Sequence, residues 1–277
     1  MKTIFLSWRS YETRERMVVA RLDWDGSAYH FSYTRGVWRS GYLLPFECKA
    51  KVDRVQYWPE LPPDMSIRRM RKSRPDYPRF LKWMGLDAPD AMAELGISGG
   101  IKVTDSLETM PLPERTPTGE YVTEFFTRGL WEAGPASIEA ARRLVEGDRL
   151  WLIKDPLSRW CSYKLFADAE GESPYVGYLP RMFAKDIERL LDRCGSALEV
   201  RVRQLNQDAP TAMWVLCRLT CPWPDGFVPF DGDDDFVSLV STTPVECTDE
   251  RCFECSFNRD LERECMEGRR VAAADVG

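Results

Sequence analysis

The chain reads as an α+β protein made of two small domains and an acidic tail. Three observations predict this. Short runs of β-branched and aromatic residues bounded by turn residues recur as far as residue 221, and helical periodicity is confined to short stretches between them. Residues 111–119 hold three prolines and a glycine, the composition of a linker. With 277 residues, 44% of them hydrophobic, the chain can bury two cores.

The elements follow in order. Residues 3–8, 17–22 and 28–34 have the composition of strands, and Asp25-Gly26 supplies a tight turn between the last two. In residues 73–85, Pro75 and Pro78 fit only in or near a first helical turn. Phe80, Leu81 and Met84 then share a face, and Gly85 can end the helix. Residues 88–95 read as a second short helix. This gives an N-terminal α+β domain over 1–110, and 111–119 is the linker.

Beyond the linker, 120–129 reads as a strand, 136–144 as an amphipathic helix, and 149–154 and 162–168 as strands. Residues 174–180 are a short strand or turn. Residues 183–191 form a helix with Ile187, Leu190 and Leu191 on one face, and 197–205 and 212–219 are closing strands. Short strands with two interposed helices predict a small barrel-like domain over 120–221. Residues 222–277 carry 5 basic and 14 acidic side chains and are expected to be a weakly ordered, Cys-containing tail.

Charge and composition exclude several function classes. Residues 1–116 have a net charge of +4, residues 117–221 of −1 and residues 222–277 of −9, so the overall −6 belongs to the tail and does not argue against nucleic-acid binding elsewhere. No apolar run is long enough to span a bilayer, which predicts no membrane partner. The first residues lack a signal-peptide pattern, so a cytoplasmic location is expected. His30 is the only histidine, which excludes metal sites built on two imidazoles, and its place among Tyr29, Phe31 and Tyr33 reads as structural. Nine cysteines without an export signal do not suggest a disulfide framework. No Gly-x-x-x-x-Gly-Lys-Ser/Thr phosphate loop occurs, so an autonomous ATPase is not expected.

Three segments carry a resemblance. They are Glu124-Phe-Phe-Thr-Arg-Gly-Leu, Glu146-Gly-Asp-Arg-Leu-Trp-Leu-Ile-Lys-Asp-Pro and Tyr175-Val-Gly-Tyr-Leu-Pro-Arg. In this order and spacing, residues 120–221 resemble a HIRAN domain. Arg35-Gly36, Ser73-Arg-Pro-Asp-Tyr and Thr104-Asp-Ser-Leu-Glu are similar to the companion region of bacterial stand-alone HIRAN proteins, itself loosely similar to the N-terminal portion of the HipA toxin kinases. The resemblance implies an OB-like β-barrel with two helices that recognises single-stranded DNA, in some members at a free 3′ end. It implies a setting in DNA processing or repair. The zinc and acid-anhydride hydrolysis associated with the family come largely from attached modules. One stretch departs from the pattern: Ser158, Trp160 and Cys161 stand where family members have Asn, Tyr and Asp. The aromatic platform is retained, but a thiol is a poor acceptor for a sugar hydroxyl.

The candidate stacking surface is therefore Trp160, Tyr163, Tyr178 and Trp131, with Arg159, Lys164 and Arg181 supplying charge. A second candidate is the basic run Arg68, Arg69, Arg71, Lys72 and Arg74, which leads into Tyr77, Arg79, Phe80, Lys82 and Trp83. A third is Cys247, Cys252, Cys255 and Cys265, four thiols whose grouping suits zinc or an iron–sulfur cluster, or else reduced thiols in a tail. Cys217 and Cys221 are further thiols, Cys217 on a predicted strand as a core residue. The acidic run Asp231, Asp233, Asp234 and Asp235 suits a divalent cation or simple hydration.

The expected function is non-catalytic binding of nucleic acid, single-stranded DNA above all. A protein partner could engage the N-terminal domain or the tail. The alternatives are a protein-interaction adaptor related to toxin–antitoxin kinases that has lost DNA binding, and a metal-dependent hydrolase acting on nucleic-acid ends.

Overall fold

The computed structural model describes residues 1–40, 52–158 and 162–240, which divide into two compact units. The first comprises Met1–Arg69, Gly99–Pro111 and the described residues from Asp231 onward; the second comprises Met70–Ser98 and Leu112–Phe230. The class is mixed α+β, and each unit is built on one five-stranded antiparallel sheet. The units are discontinuous. Residues 70–98, which the linear reading attaches to the N-terminal domain, belong to the second unit, and residues 231–240 belong to the first.

In the first unit, β1 (Lys2–Arg9), β2 (Arg16–Trp24), β3 (Tyr29–Tyr33), β4 (Gln56–Trp58) and β5 (Leu107–Pro111) pair in the order β4-β3-β2-β1-β5. The hairpin between β2 and β3 turns on Asp25, whose carboxylate accepts from the backbone N–H groups of Ser27 and Ala28 at 2.7 and 2.8 Å. Those two donors hold its carboxyl below the usual range. Ile4, Phe5 and Leu6 of β1, Leu22 of β2 and Phe31 and Tyr33 of β3 are buried; consecutive residues of β1 are buried, so both faces of this strand are covered. Two short helices follow, α1 (Gly36–Ser40) and α2 (Pro63–Ser66), with Val37 and Met65 buried.

The tail expectation needs correction for residues 222–240. Phe236 meets Phe5 edge-to-face at 5.0 Å, and Asp235 accepts two bonds from Arg39 at 2.9 and 3.0 Å. The Arg35 N–H donates to the Val237 carbonyl, and the Leu239 N–H to that of Tyr33. In the second unit Trp223 and Phe227 pack with Tyr121, and the Phe230 N–H donates to the buried Asp186 carboxylate. The three apolar rings and the arginine partners outweigh the acidic composition that suggested weak order. Residues 241–277 lie outside the described residues.

The second sheet contains β6 (Glu120–Phe126), β7 (Arg149–Lys154), β8 (Tyr163–Phe166), β9 (Glu199–Leu205) and β10 (Val215–Pro222), in the order β6-β10-β9-β7-β8. Its helices are α3 (Tyr77–Trp83), α4 (Ala91–Ser98), α5 (Pro135–Arg142) and α6 (Ala184–Cys194). Tyr77, Leu81 and Met84 of the α3 region and Ile97 of α4 form a buried cluster with Phe126 and Leu216. The charged α6 buries Ala184, Ile187 and Leu190 and packs against β10.

The expected barrel is not closed among the described residues. The outer strand β8 and the backbone just beyond β6 are linked only by isolated bridges, Lys164 with Tyr178 and Arg128 with Tyr178. Short strands meet the geometric demand of a small sheet, but closure needs a continuous ladder between its edges.

Gly36 tests the packing of α1 on β2, because a methyl built there would overlap the Val18 carbonyl. Gly36→Ala is expected to lower stability by about 2 kcal/mol or more, through a forced shift of backbone. The check is a shift in the thermal or urea midpoint against the parent protein; an unchanged midpoint would mean that the helix sits clear of the strand.

Candidate nucleic-acid interface

The strongest grouping of candidate residues lies where residues 176–179 run between β8 and the end of β6. Val176 donates its N–H to Leu165 O at 2.7 Å, Leu165 donates to Gly177 O at 2.9 Å, and Leu179 donates to Tyr163 O at 3.0 Å. On the other side, Tyr178 and Arg128 exchange N–H···O bonds of 2.7 and 2.9 Å. Gly177 makes this possible. Its φ of +122° suits glycine, and a Cβ there would lie 2.7 Å from Thr127 Cβ and 3.0 Å from Arg128 O. Pairing on both sides fixes the direction of the Tyr178 side chain.

That side chain meets Lys164 and Tyr175. The Lys164 ammonium lies 5.0 Å from the Tyr175 ring centroid and 5.9 Å from that of Tyr178, and the two rings are 5.3 Å apart at 65°. These are cation–π and edge-to-face distances. Asp155, in the turn after β7, accepts from the Lys164 ammonium at 3.3 Å and from the Tyr178 hydroxyl at 3.5 Å. Burial, together with Tyr175 and Asp155 beside it, pushes the Tyr178 phenol up, so the hydroxyl stays a neutral donor. The result is a half-buried arrangement of two rings, one cation and one carboxylate. It can stack a flat ring and present one charge.

The sequence-predicted residues are distributed as follows. Lys164 and Tyr178 come together. Arg181 is half-buried in the short 3₁₀ turn that follows Pro180. Trp131 is 70% exposed in the turn after Gly129 and offers an open ring face. Tyr163 is corrected: at 4% exposure it is a core residue with no face for a base. Arg159 and Trp160 lie outside the described residues.

The basic run is also corrected in part. Arg68 has a side chain only 4% exposed, forms a two-pronged bond to Asp105 at 2.6 and 3.1 Å and donates to Gly100 O at 3.0 Å. It is an internal cross-link of the first unit and is closed to phosphate. Arg69, also in the first unit, is half-buried, whereas Arg71, Lys72 and Arg74 are exposed in the second. Arg74 is paired with Asp76 at 2.7 Å. Nearby, Arg79 bonds Asp208 and lies 5.3 Å over the Trp83 ring.

Cys247, Cys252, Cys255 and Cys265 lie outside the described residues, and among those described no group of three His, Cys, Asp or Glu side chains is placed to hold a metal ion. In the acidic run, Asp235 is paired with Arg39 and Asp234 with Arg35. No described helix is long and apolar enough to cross a membrane.

Sequence reasoning missed Tyr175 and Asp155 as members of the site, although both stand inside the quoted motifs. It also missed a cross-strand cluster in which Glu124 on β6 is held between Arg218 on β10 and Arg203 on β9. Arg203 falls at the bulge between Leu216 and Cys217, which turns its side chain toward Glu124 and the Gly85 carbonyl. No family model, curated protein or solved structure matches the chain.

The site predicts a contrast between two substitutions. Tyr178→Ala is expected to cost about 2–4 kcal/mol, because a packed ring is removed beside Gly129 and Lys164. Tyr178→Phe is expected to cost less than about 1 kcal/mol, because it loses only a long hydroxyl contact. Urea denaturation of both variants checks this, and equal losses would assign the structural role to the hydroxyl.

Proposed function

We propose that this protein binds single-stranded nucleic acid, DNA above all, without catalysis, and that its second unit is a HIRAN-like, OB-related module. The observation that carries the reading is the Lys164 ammonium set over the Tyr175 and Tyr178 rings. Aromatic faces next to a cation are what an unpaired strand uses, with bases on the rings and phosphates on the charge. Exposed Trp131 and the Arg71–Lys72 pair extend the chemistry of the same unit. The two-sided bridging of residues 176–179 supports the module assignment, since these residues open the Val-Gly-Tyr-Leu-Pro-Arg motif of residues 176–181.

A second reading, a protein-interaction adaptor without DNA binding, is favoured by the pairing of Lys164 with Asp155, Arg74 with Asp76 and Arg79 with Asp208. These pairs leave less free positive charge than the sequence suggests, so the nucleic-acid reading requires stacking to supply most of the affinity.

Fluorescence anisotropy with single-stranded, duplex and 3′-blocked oligonucleotides tests it. Binding of the single strand is expected at ~50 mM salt, with a shallow salt slope of about −0.7 for each phosphate contacted. Trp131→Ala combined with Lys164→Ala is expected to weaken it at least ~10-fold, the loss of roughly one stacked base. Absence of binding to every oligonucleotide would hand the assignment to the adaptor reading.

A further inference from the structure

Outside this surface, two thiols of the second unit stand together. Cys194 is the last residue of α6, and Cys221 lies near the end of β10. Along β10, Cys217, Leu219 and Cys221 alternate with the less buried Arg218 and Thr220, and α6 packs against this strand. The Cys194 thiol donates to the carbonyl of Pro222, the residue after Cys221, at 3.4 Å. That contact brings Cys194 beside Cys221, whose ionisation it disfavours. Neither forms a disulfide in the structure.

We infer that Cys194 and Cys221 are a peroxide-oxidisable dithiol that closes to a disulfide between the end of α6 and the end of β10. Their unequal exposure assigns the roles. Cys194 is half-buried and open to a small oxidant, whereas Cys221 is only 2% exposed. Burial beside Cys194 also pushes the Cys221 thiol up to about 12, so Cys221 is a poor thiolate source.

In the first step the Cys194 thiolate attacks one oxygen of hydrogen peroxide. An S–O bond forms, the O–O bond breaks, and the departing hydroxide takes a proton to leave as water. In the second, Cys221 sulfur attacks the sulfenic sulfur of Cys194. The S–S bond forms, the S–O bond breaks, and the hydroxide leaves as water with the Cys221 proton. Two thiols lose two electrons in total, and one peroxide becomes two waters. The inference is independent of the nucleic-acid reading, since it concerns neither Lys164 nor the tyrosines.

Seven other cysteines make whole-protein mass insufficient as a readout. The full chain is therefore treated with about 1 mM hydrogen peroxide, alkylated, digested without reductant and mapped by mass spectrometry. A peptide linking Cys194 to Cys221 that disappears on reduction with dithiothreitol is expected. With Cys221→Ser or Cys221→Ala, dimedone is expected to label Cys194 several-fold more than in the parent, because the resolving thiol is gone. With Cys194→Ser, Cys221 is expected to remain a free thiol. Recovery of both cysteines alkylated while others oxidise would overturn the inference, as would dimedone labelling of Cys194 that is the same with and without Cys221.

Discussion

The site depends on a backbone that is hydrogen-bonded on both sides over residues 176–179. Leu165 receives and donates on one side, and Arg128 on the other. Without this pairing β8 would be an exposed edge, a four-residue strand held only by β7. With it, β8 is flanked on both sides, and Lys164 and Tyr178 face each other across a bridge instead of a flexible loop. The demand falls on Gly177, because the Thr127 side chain and the Arg128 carbonyl leave no room for a side chain. A single glycine thus sets how closely two segments approach, and that approach sets where a cation and two rings meet.

Much of the fold was legible because strand and helix periodicities differ. Ile4, Leu6, Leu22 and Phe31 lie in short β-branched and aromatic runs that are buried, and α6 shows its apolar face at Ile187 and Leu190. What was not legible depends on partners distant in sequence. β4 has three residues and is recognisable only by its pairing with β3. Residues 107–111 were not read as a strand, because β5 is defined by its ladder with β1, about a hundred positions earlier. Residues 231–235 read as an acidic run within a weakly ordered tail, yet Phe236 packs on Phe5, and Arg35 and Arg39 hold Asp234 and Asp235.

The candidate site was legible as a motif and not as a surface. The sequence places Tyr163 and Lys164 side by side, but strand alternation sends one into the core and leaves the other half-buried. A run of arginines reports charge without reporting what neutralises it. The partner of Arg68 is Asp105, 37 positions away, and that of Arg79 is Asp208, 129 positions away. Neither distance leaves a local signal. Tyr175 and Asp155 were passed over for the opposite reason: they were treated as landmarks of a pattern, and their roles emerge only from distances to Lys164.

These pairings constrain how the protein could hold a nucleic acid. Lys164 shares its charge with Asp155, so a phosphate approaching the ammonium meets a carboxylate 3.3 Å from it. Partial burial strengthens both the attraction and the repulsion. A phosphate contact there gains only if Asp155 turns away or accepts from a sugar hydroxyl, whereas a base gains by meeting a ring that is already positioned. Charge spent inside the fold, on Glu124, Asp105 and Asp235, rigidifies the two sheets but does not attract a polyanion. Stacking is short-ranged and indifferent to ionic strength, and charge attraction is neither. On the proposed reading, a surface of this kind would therefore discriminate by whether bases are unpaired more than by how many phosphates are near.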